Sequence, residues 1–305
     1  MLSRRNFFAT SALALAAAGC KTGSGPCSCA GTECRKVKFK FGVAGYTCNR
    51  LTVDETLDLL KRLDVHYLCI KAFHLPFEAT DAQIAEFKQK CADHGVTGYG
   101  LGPVYMDTKE QARSTFEFAK RVGVNLVVGV PFEMIPGADK KPKGKNRRGS
   151  RSLLLEIEKL VKEFDIRYAI HNHGPQIGEL FPDVEYGWNL IKDLDSRIGF
   201  CIDVGWEYGC DKDPAETIRK YGSRIYDAHI KNFEIGKPNG VAVPLPRGKI
   251  DLVRVCKAFV DIGYEGVCSL EYESFPPKGE KPGIKAEQVA ESVGYFKGLM
   301  QAIEG

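Results

Sequence analysis

The stretch Ile198–Ile230, IGFCIDVGWEYGCDKDPAETIRKYGSRIYDAHI, reads as a strand, a helix and a second strand. Ile198–Asp203 and Ile225–Ile230 are short, largely apolar runs, the character of strands buried on both faces of a parallel sheet. Between them Asp213-Pro214 opens a helix through Tyr221, because Asp can cap the first free amides and Pro suits the first helical position. Each apolar run carries a group able to bind a cation or move a proton at its end, Asp203 in one and His229 in the other.

The same beat extends outward in both directions. Further strands are predicted over 39–44, 66–71, 96–101, 125–130, 166–171 and 266–271, and helices over 53–64, 81–94, 108–121, 150–164, 186–194, 252–262 and 286–302. In the first helix Leu57, Leu59, Leu60 and Leu63 can form a buried stripe. Eight strand–helix units over 38–305 point to an α/β fold, the (β/α)8 TIM barrel, as one catalytic domain. A doubly wound sheet is the rival, weakened in its nucleotide-binding form by the lack of Gly-x-Gly-x-x-Gly after the first strand. In a barrel, polar residues at the strand ends line the catalytic mouth.

Residues 1–19 read as an address and not as part of the fold. Arg4-Arg5-Asn6-Phe7-Phe8 and the apolar run Ala9–Ala18 resemble a twin-arginine export signal, and Leu15–Cys20 resembles a lipobox with Cys20 as the acylated residue. The expectation is a periplasmic or cell-envelope protein, lipid-anchored at Cys20, with membrane contact through that lipid only; a simple cleaved periplasmic form is the alternative. Residues 20–37 read as a flexible linker, and the spacing of Cys27, Cys29 and Cys34 matches no standard zinc or cluster motif. Cys69, Cys201 and Cys268 sit in apolar runs, where a thiol packs as a small hydrophobe.

The net charge of +4 owes much to one segment, since Lys140–Arg151 alone carries seven basic side chains. No general basic face follows, and with no aromatic interleaving in that run a nucleic-acid partner is not expected. Residues 136–149 read as a solvated loop or as a rim that attracts anions, and 232–249 as a second long loop at the same end.

Three of the six histidines, His171, His173 and His229, lie at predicted strand ends, as do Asp203 and Glu271. His171, Asp203, His229 and Glu271 come from four consecutive strands and would converge on one divalent ion. The mixed N/O set suits Mn²⁺ or Zn²⁺, with Co²⁺ or Fe²⁺ as alternatives, better than Ca²⁺ or Mg²⁺. No organic cofactor is expected. Lys231 falls two residues beyond His229 on the same face, to bind substrate or to pair with a carboxylate. Glu133 could reach metal or substrate, or form a loop salt bridge. Lys71 and His74 are rim contacts, while Tyr46, Phe132, Trp206 and Tyr272 are candidate sugar platforms.

Ile170-His171-Asn172-His173-Gly174, Cys201–Gly205, Asp227–Lys231 and Ser269–Tyr272, with the barrel periodicity, resemble the xylose-isomerase-like barrel superfamily of sugar isomerases, epimerases, inosose dehydratases and endonuclease IV-type enzymes. The resemblance implies that Asp203, His229 and Glu271 are metal ligands, and it expects Glu where His171 stands. It also expects His where Trp206 stands, and an indole cannot ligate a metal. Epimerases of this group resemble two-base machines built on two metal-bound carboxylates, of which Glu271 alone is present here. His173, Glu133, Lys231 or Lys71 would then supply the second proton transfer, and His171-x-His173 resembles the inosose-dehydratase branch more closely. The expected activity is isomerisation or epimerisation beside a carbonyl of a non-phosphorylated sugar or keto-sugar. The alternatives are cleavage of 3-keto-glycosides, dehydration of an inosose-like substrate, or carbohydrate binding without turnover. Expected partners are the sugar substrate, an upstream sugar oxidoreductase and a second copy of the chain.

Overall fold

The computed structural model describes residues 36–138, 145–175, 178–234, 242–273 and 286–304. The address segment with Cys20, the linker cysteines Cys27, Cys29 and Cys34, and Lys140, Lys141 and Lys143 of the basic run lie outside these residues.

The strands are β1 (Lys40–Ala44), β2 (Tyr67–Ile70), β3 (Thr97–Met106), β4 (Leu126–Met134), β5 (Arg147–Gly149), β6 (Arg167–His171), β7 (Ile198–Asp203), β8 (Ile225–Ile230) and β9 (Val267–Leu270). Their order is β3-β2-β1-β9-β8-β7-β6-β4-β5, and direct β3–β4 pairing closes the ring. Every pair in the ring is parallel. Closure of eight parallel strands is the predicted barrel and removes the open edges that a doubly wound sheet would have.

The ninth strand is a correction. Arg147–Gly149, read from sequence as part of a loop too polar to pack, pairs antiparallel with Phe132–Met134 at the end of β4. Main-chain pairing needs no apolar side chains, so composition hid this short hairpin arm.

The helices are α1 (Val53–Arg62), α2 (Asp81–Asp93), α3 (Lys109–Val122), α4 (Arg151–Phe164), α5 (Val184–Ile191), α6 (Val204–Gly209), α7 (Pro214–Tyr221), α8 (Leu252–Asp261) and α9 (Ala286–Glu304). Capping boxes start α1 at Thr52 and α2 at Thr80, and Asp213 with Pro214 starts α7 as expected. The short α6 was not predicted, because two glycines in six residues dilute the helical signal. It begins on Asp203, whose Oδ1 accepts the Trp206 amide at 3.0 Å. None of the helices among the described residues is long and apolar enough to cross a membrane.

Alternation along the strands divides the interior. Leu68, Ile70, Phe200, Ile202, Ala228, Ile230, Cys268 and Leu270 join the main core with the helices. Cys69, Leu126, Val128, Ala169 and Cys201 form a separate small cluster. The three cysteines of the apolar runs are buried free thiols, as expected. Continued by steps of two toward the strand ends, the second set runs through Lys71, His171 and Asp203, and His229 and Glu271 alternate in the same way with the core residues Ala228, Ile230 and Leu270.

Candidate metal centre

The strand register brings the four predicted ligands together. Asp203 is the Cα partner of His229, and the Glu271 amide donates to Ile230 O at 3.0 Å, so three strand ends finish at nearly one height. His171 Nε2 lies 3.0 Å from His229 Nδ1, 3.6 Å from Asp203 Oδ2 and 3.7 Å from Glu271 Oε2, and His229 Nδ1 lies 3.1 Å from Glu271 Oε2. All four residues are buried. Their ligand atoms fall within 4.8 Å of one another.

These spacings fit a cation. Ligand atoms about 2.1 Å from one ion, at angles of about 90–110°, are separated by roughly 3.0–3.4 Å. Asp203 is oriented for the purpose, since the α6 cap engages Oδ1 and turns buried Oδ2 toward His171 and the Lys231 ammonium. Burial alone would disfavour the His171 imidazolium, but the Asp203 and Glu271 carboxylates outweigh it and raise this histidine to about 8. The centre is thus already electronegative enough to hold a proton against desolvation. The Cys201 thiol can also approach both histidines, yet burial raises it well above its usual range and keeps it protonated, a poor ligand. The donor set is that of a divalent-metal-dependent enzyme.

Lys231 belongs to the same cluster. Its ammonium lies 3.0 Å from Glu271 Oε2, 3.1 Å from Asp203 Oδ2 and 3.3 Å from Glu273 Oε2, with the side chain fully buried. Of the two sequence readings, pairing with carboxylates is the one observed. Gly205 makes room for it, because a Cβ there would stand 3.0 Å from Lys231 Cγ and 2.8 Å from the Phe233 ring. Glu273 was missed from sequence, although Glu271-x-Glu273 puts both carboxylates on one face.

A second acid–base pair lies beside His171. His173 Nδ1 lies 3.1 Å from His171 O, a pure acceptor, so Nδ1 carries the proton and Nε2 accepts from the Tyr105 hydroxyl. Burial, and then the neighbouring His171, push His173 well below the usual histidine range, which keeps it neutral. Tyr105 was missed because β3 runs five residues beyond its predicted end at 101.

The remaining candidates separate. Lys71 donates to Pro103 O at 2.7 Å and lies over the Tyr46 ring. Burial lowers its affinity for a proton while Glu271 and Glu273 oppose the shift, which places it within their field. Glu133 does not join the metal set: its Oε1 is 2.6 Å from Arg148 Nη2 and its Oε2 accepts from Ser150 Oγ, the loop salt bridge anticipated as its alternative. His74 is not a rim contact. It is buried beside Thr56 and, through desolvation and Lys71, lowered to about 4. Tyr272 also corrects the sequence reading: it alternates with Glu271 and Glu273, and its hydroxyl reaches Gln288 on α9, away from the mouth. Trp206 lies against Phe233 and under the Lys231 ammonium, 4.7 Å from the ring centroid. Phe132 faces the Arg147 guanidinium.

Residues 57–298 match the Xylose isomerase-like TIM barrel family. The chain belongs to that family. Among family relatives, mannonate dehydratase of Thermotoga petrophila is 28% identical over 234 residues, covering 70% of this chain and 58% of that protein. Mannonate dehydratase of Brachyspira hyodysenteriae is 25% identical over 184 residues, covering 57% of this chain and 51% of that protein. The chain therefore spans little more than half the length of these curated relatives. The crystal structure of D-psicose 3-epimerase from Clostridium cellulolyticum H10 with D-tagatose superposes with a TM-score of 0.66 at 17% identity, over 86% of this chain and 99% of that one. An IolI protein with a bound zinc atom gives 0.63 at 17% identity, over 87% and 99%. At these identities the structural likeness is one of fold.

Proposed function

We propose that the protein is a metal-dependent lyase of sugar-derived substrates, which removes a proton next to a carbonyl or carboxylate and expels the β-oxygen substituent. The observation that carries this reading is the imidazole of His171 at the end of β6, where the resemblance expects a glutamate. With His171 as a ligand, Glu271 is the sole carboxylate of the set that can double as a base in the two-base scheme of an epimerase. A symmetric swap of protons across one carbon is thereby disfavoured.

The two sets of acid–base groups differ in kind. Glu271 and Glu273 lie around Lys231, and Tyr105 is paired with neutral His173. Elimination needs this inequality, since one group takes the carbon-bound proton while another protonates the departing oxygen. A divalent ion held by His171, Asp203, His229 and Glu271 would polarise the substrate's carbonyl or carboxylate oxygen. Among the described residues Lys71 has no carboxylate within ion-pair distance, so its ammonium is available to the anionic end of a sugar acid. The dehydratase names of the relatives support the same reaction class.

Isomerisation is the second reading, favoured by the same Tyr105–His173 pair if it returns the proton to carbon. The deciding experiment incubates Mn²⁺- or Zn²⁺-loaded protein with sugar acids, 3-keto-glycosides and free ketoses in D₂O. Release of water or aglycone with a deoxy-keto product supports the lyase. Solvent deuterium in a rearranged sugar without release refutes it in favour of isomerisation, and no turnover with metal bound leaves a carbohydrate-binding protein.

The proposal extends to a cell-envelope setting with lipid at Cys20, a sugar oxidoreductase supplying the carbonyl, and self-association as a homodimer. Loss of membrane fractionation in Cys20→Ala tests the anchor.

A further inference from the structure

Glu207 plays no part in the chemistry above, yet it is a carboxylic acid with 1% exposure on α6 and no cation within ion-pair distance among the described residues. A buried, unpaired acid is unfavourable unless its hydrogen bonds are complete. Here they are. Oε1 accepts from Thr217 Oγ1 at 2.8 Å, and Oε2 accepts from the Val184 amide at 3.1 Å and from Asn172 Nδ2 at 3.3 Å. Burial nevertheless raises the group to about 7.

Asn172 shows what this arrangement holds. The residue stands between His171 and His173, and its side-chain amide grips the main chain of Asp203 at two points. Oδ1 accepts from the Asp203 amide at 2.8 Å, and Nδ2 donates to Asp203 O at 3.2 Å. One planar group therefore ties the end of β6, which carries one imidazole, to the end of β7, which carries a carboxylate. Unaided, an amide can turn over and exchange donor for acceptor. The Asp203 N–H and C=O already select one of these two states, and Glu207 Oε2, accepting from Nδ2, adds a third tie that holds the amide in it.

We infer that Glu207 is a positioning residue for the metal centre, locking the Asn172 amide so that His171 and Asp203 stay at ligand spacing. This rests on the four-donor centre described above. The bland alternative is that Glu207 only packs α5, α6 and α7 together through Val184 and Thr217.

Glu207→Gln, Glu207→Leu, Asn172→Ala and Thr217→Val separate the two. Co²⁺ and Zn²⁺ affinities are measured by competition with a chromogenic chelator, alongside the Co²⁺ visible spectrum and the melting temperature of the metal-free protein. In Glu207→Gln, Oε1 can accept from Asn172 and Val184 while Nε2 donates to Thr217 Oγ1, so the affinity stays within about threefold of wild type. Glu207→Leu and Asn172→Ala each weaken metal binding by about 10–100-fold, as loss of a ligand-orienting partner does, and alter the Co²⁺ spectrum. Their combination is no worse than either alone, because both break one link. Thr217→Val changes the melting temperature and leaves the affinity unchanged.

Wild-type affinity in folded Glu207→Leu or Asn172→Ala overturns the inference and leaves the packing role. A Gln variant as impaired as Leu also overturns it, because charge and not amide orientation would then matter. Absence of metal binding by the wild type removes the four-donor reading together with the inference.

Discussion

Lys231→Met removes the one ammonium inside the carboxylate cluster and keeps an unbranched apolar stem one atom shorter. In the wild type, Nζ lies 3.0–3.3 Å from Glu271, Asp203 and Glu273, fully out of solvent. Removing one partner of a buried ion pair destabilises by about 3–5 kcal/mol, chiefly because the charge left behind is uncompensated. For a domain of this size each kcal/mol lowers the melting temperature by about 2–3 °C, so the metal-free variant is expected to melt about 6–15 °C below wild type. A bound divalent ion should reverse the order. Ion and ammonium share Glu271 Oε2 and Asp203 Oδ2, so the ion enters the variant without competing for them. If it relieves about half of the lost 3–5 kcal/mol, affinity rises by about 10–70-fold. Thermal melts in chelator and in excess Mn²⁺ or Zn²⁺, with titration calorimetry, read both effects. A metal-free variant melting within 2 °C of wild type, or one that binds metal more weakly, would refute the assignment of Lys231 as the cluster's internal counter-charge.

Asp203→Ala and His229→Ala should each lower bound metal by at least about 100-fold while circular dichroism stays native; unchanged metal content in both ends the four-donor proposal. Tyr105→Phe keeps the ring and loses the proton relay to His173, so kcat is expected to fall by about 10²–10⁴ with metal affinity unchanged, and a kcat near wild type would take Tyr105 out of the chemistry. Glu207 provides the pH test. Its folded value is raised from 4.5 to about 7, so the folded chain holds this proton more tightly than the unfolded one, and the associated stability is present below pH 4.5 and lost as pH rises through 7. Glu207→Gln lacks that loss, and urea denaturation of the metal-free proteins should show the variant gaining on wild type by up to about 3 kcal/mol between pH 5 and pH 8; a constant difference contradicts the shift.

The sequence carried the barrel because strands buried on both faces leave an apolar signal that needs no tertiary information. His171, Asp203, His229 and Glu271 were legible for the same reason, each falling at the polar end of such a run. Tyr272 was misread although the period of two already assigned it, since a strand that turns Glu271 inward must turn its neighbour outward. Glu133 and Arg148 were harder, because their ion pair depends on the antiparallel β4–β5 register, and nothing local in a Lys- and Arg-rich loop announces a strand. Tyr105 lay beyond the predicted end of β3, in a stretch whose glycines and proline ordinarily end strands. Glu207 and Asn172 act by contacts between residues 35 apart in the chain, which no window of sequence contains.

The charge of the cluster argues for one ion and against several. The groups around Lys231, namely Asp203, Glu271 and Glu273, bring three formal negative charges and Lys231 one positive, which with neutral imidazoles leaves −2, with Asp227 behind His229 at 3.8 Å. A single divalent cation neutralises that sum in a buried site, whereas a second would leave an excess of positive charge away from water. Among the described residues the two donor groupings both contain His171 and His229, so they are alternatives for one ion and not adjacent seats for two. A three-metal nuclease centre of the endonuclease IV type needs separate ligands for each ion, and the mouth has instead used a lysine where another cation could have been. In the elimination proposed above, Lys231 would hold Glu271 and Glu273 for the carbon-bound proton while Tyr105 and His173 serve the departing oxygen.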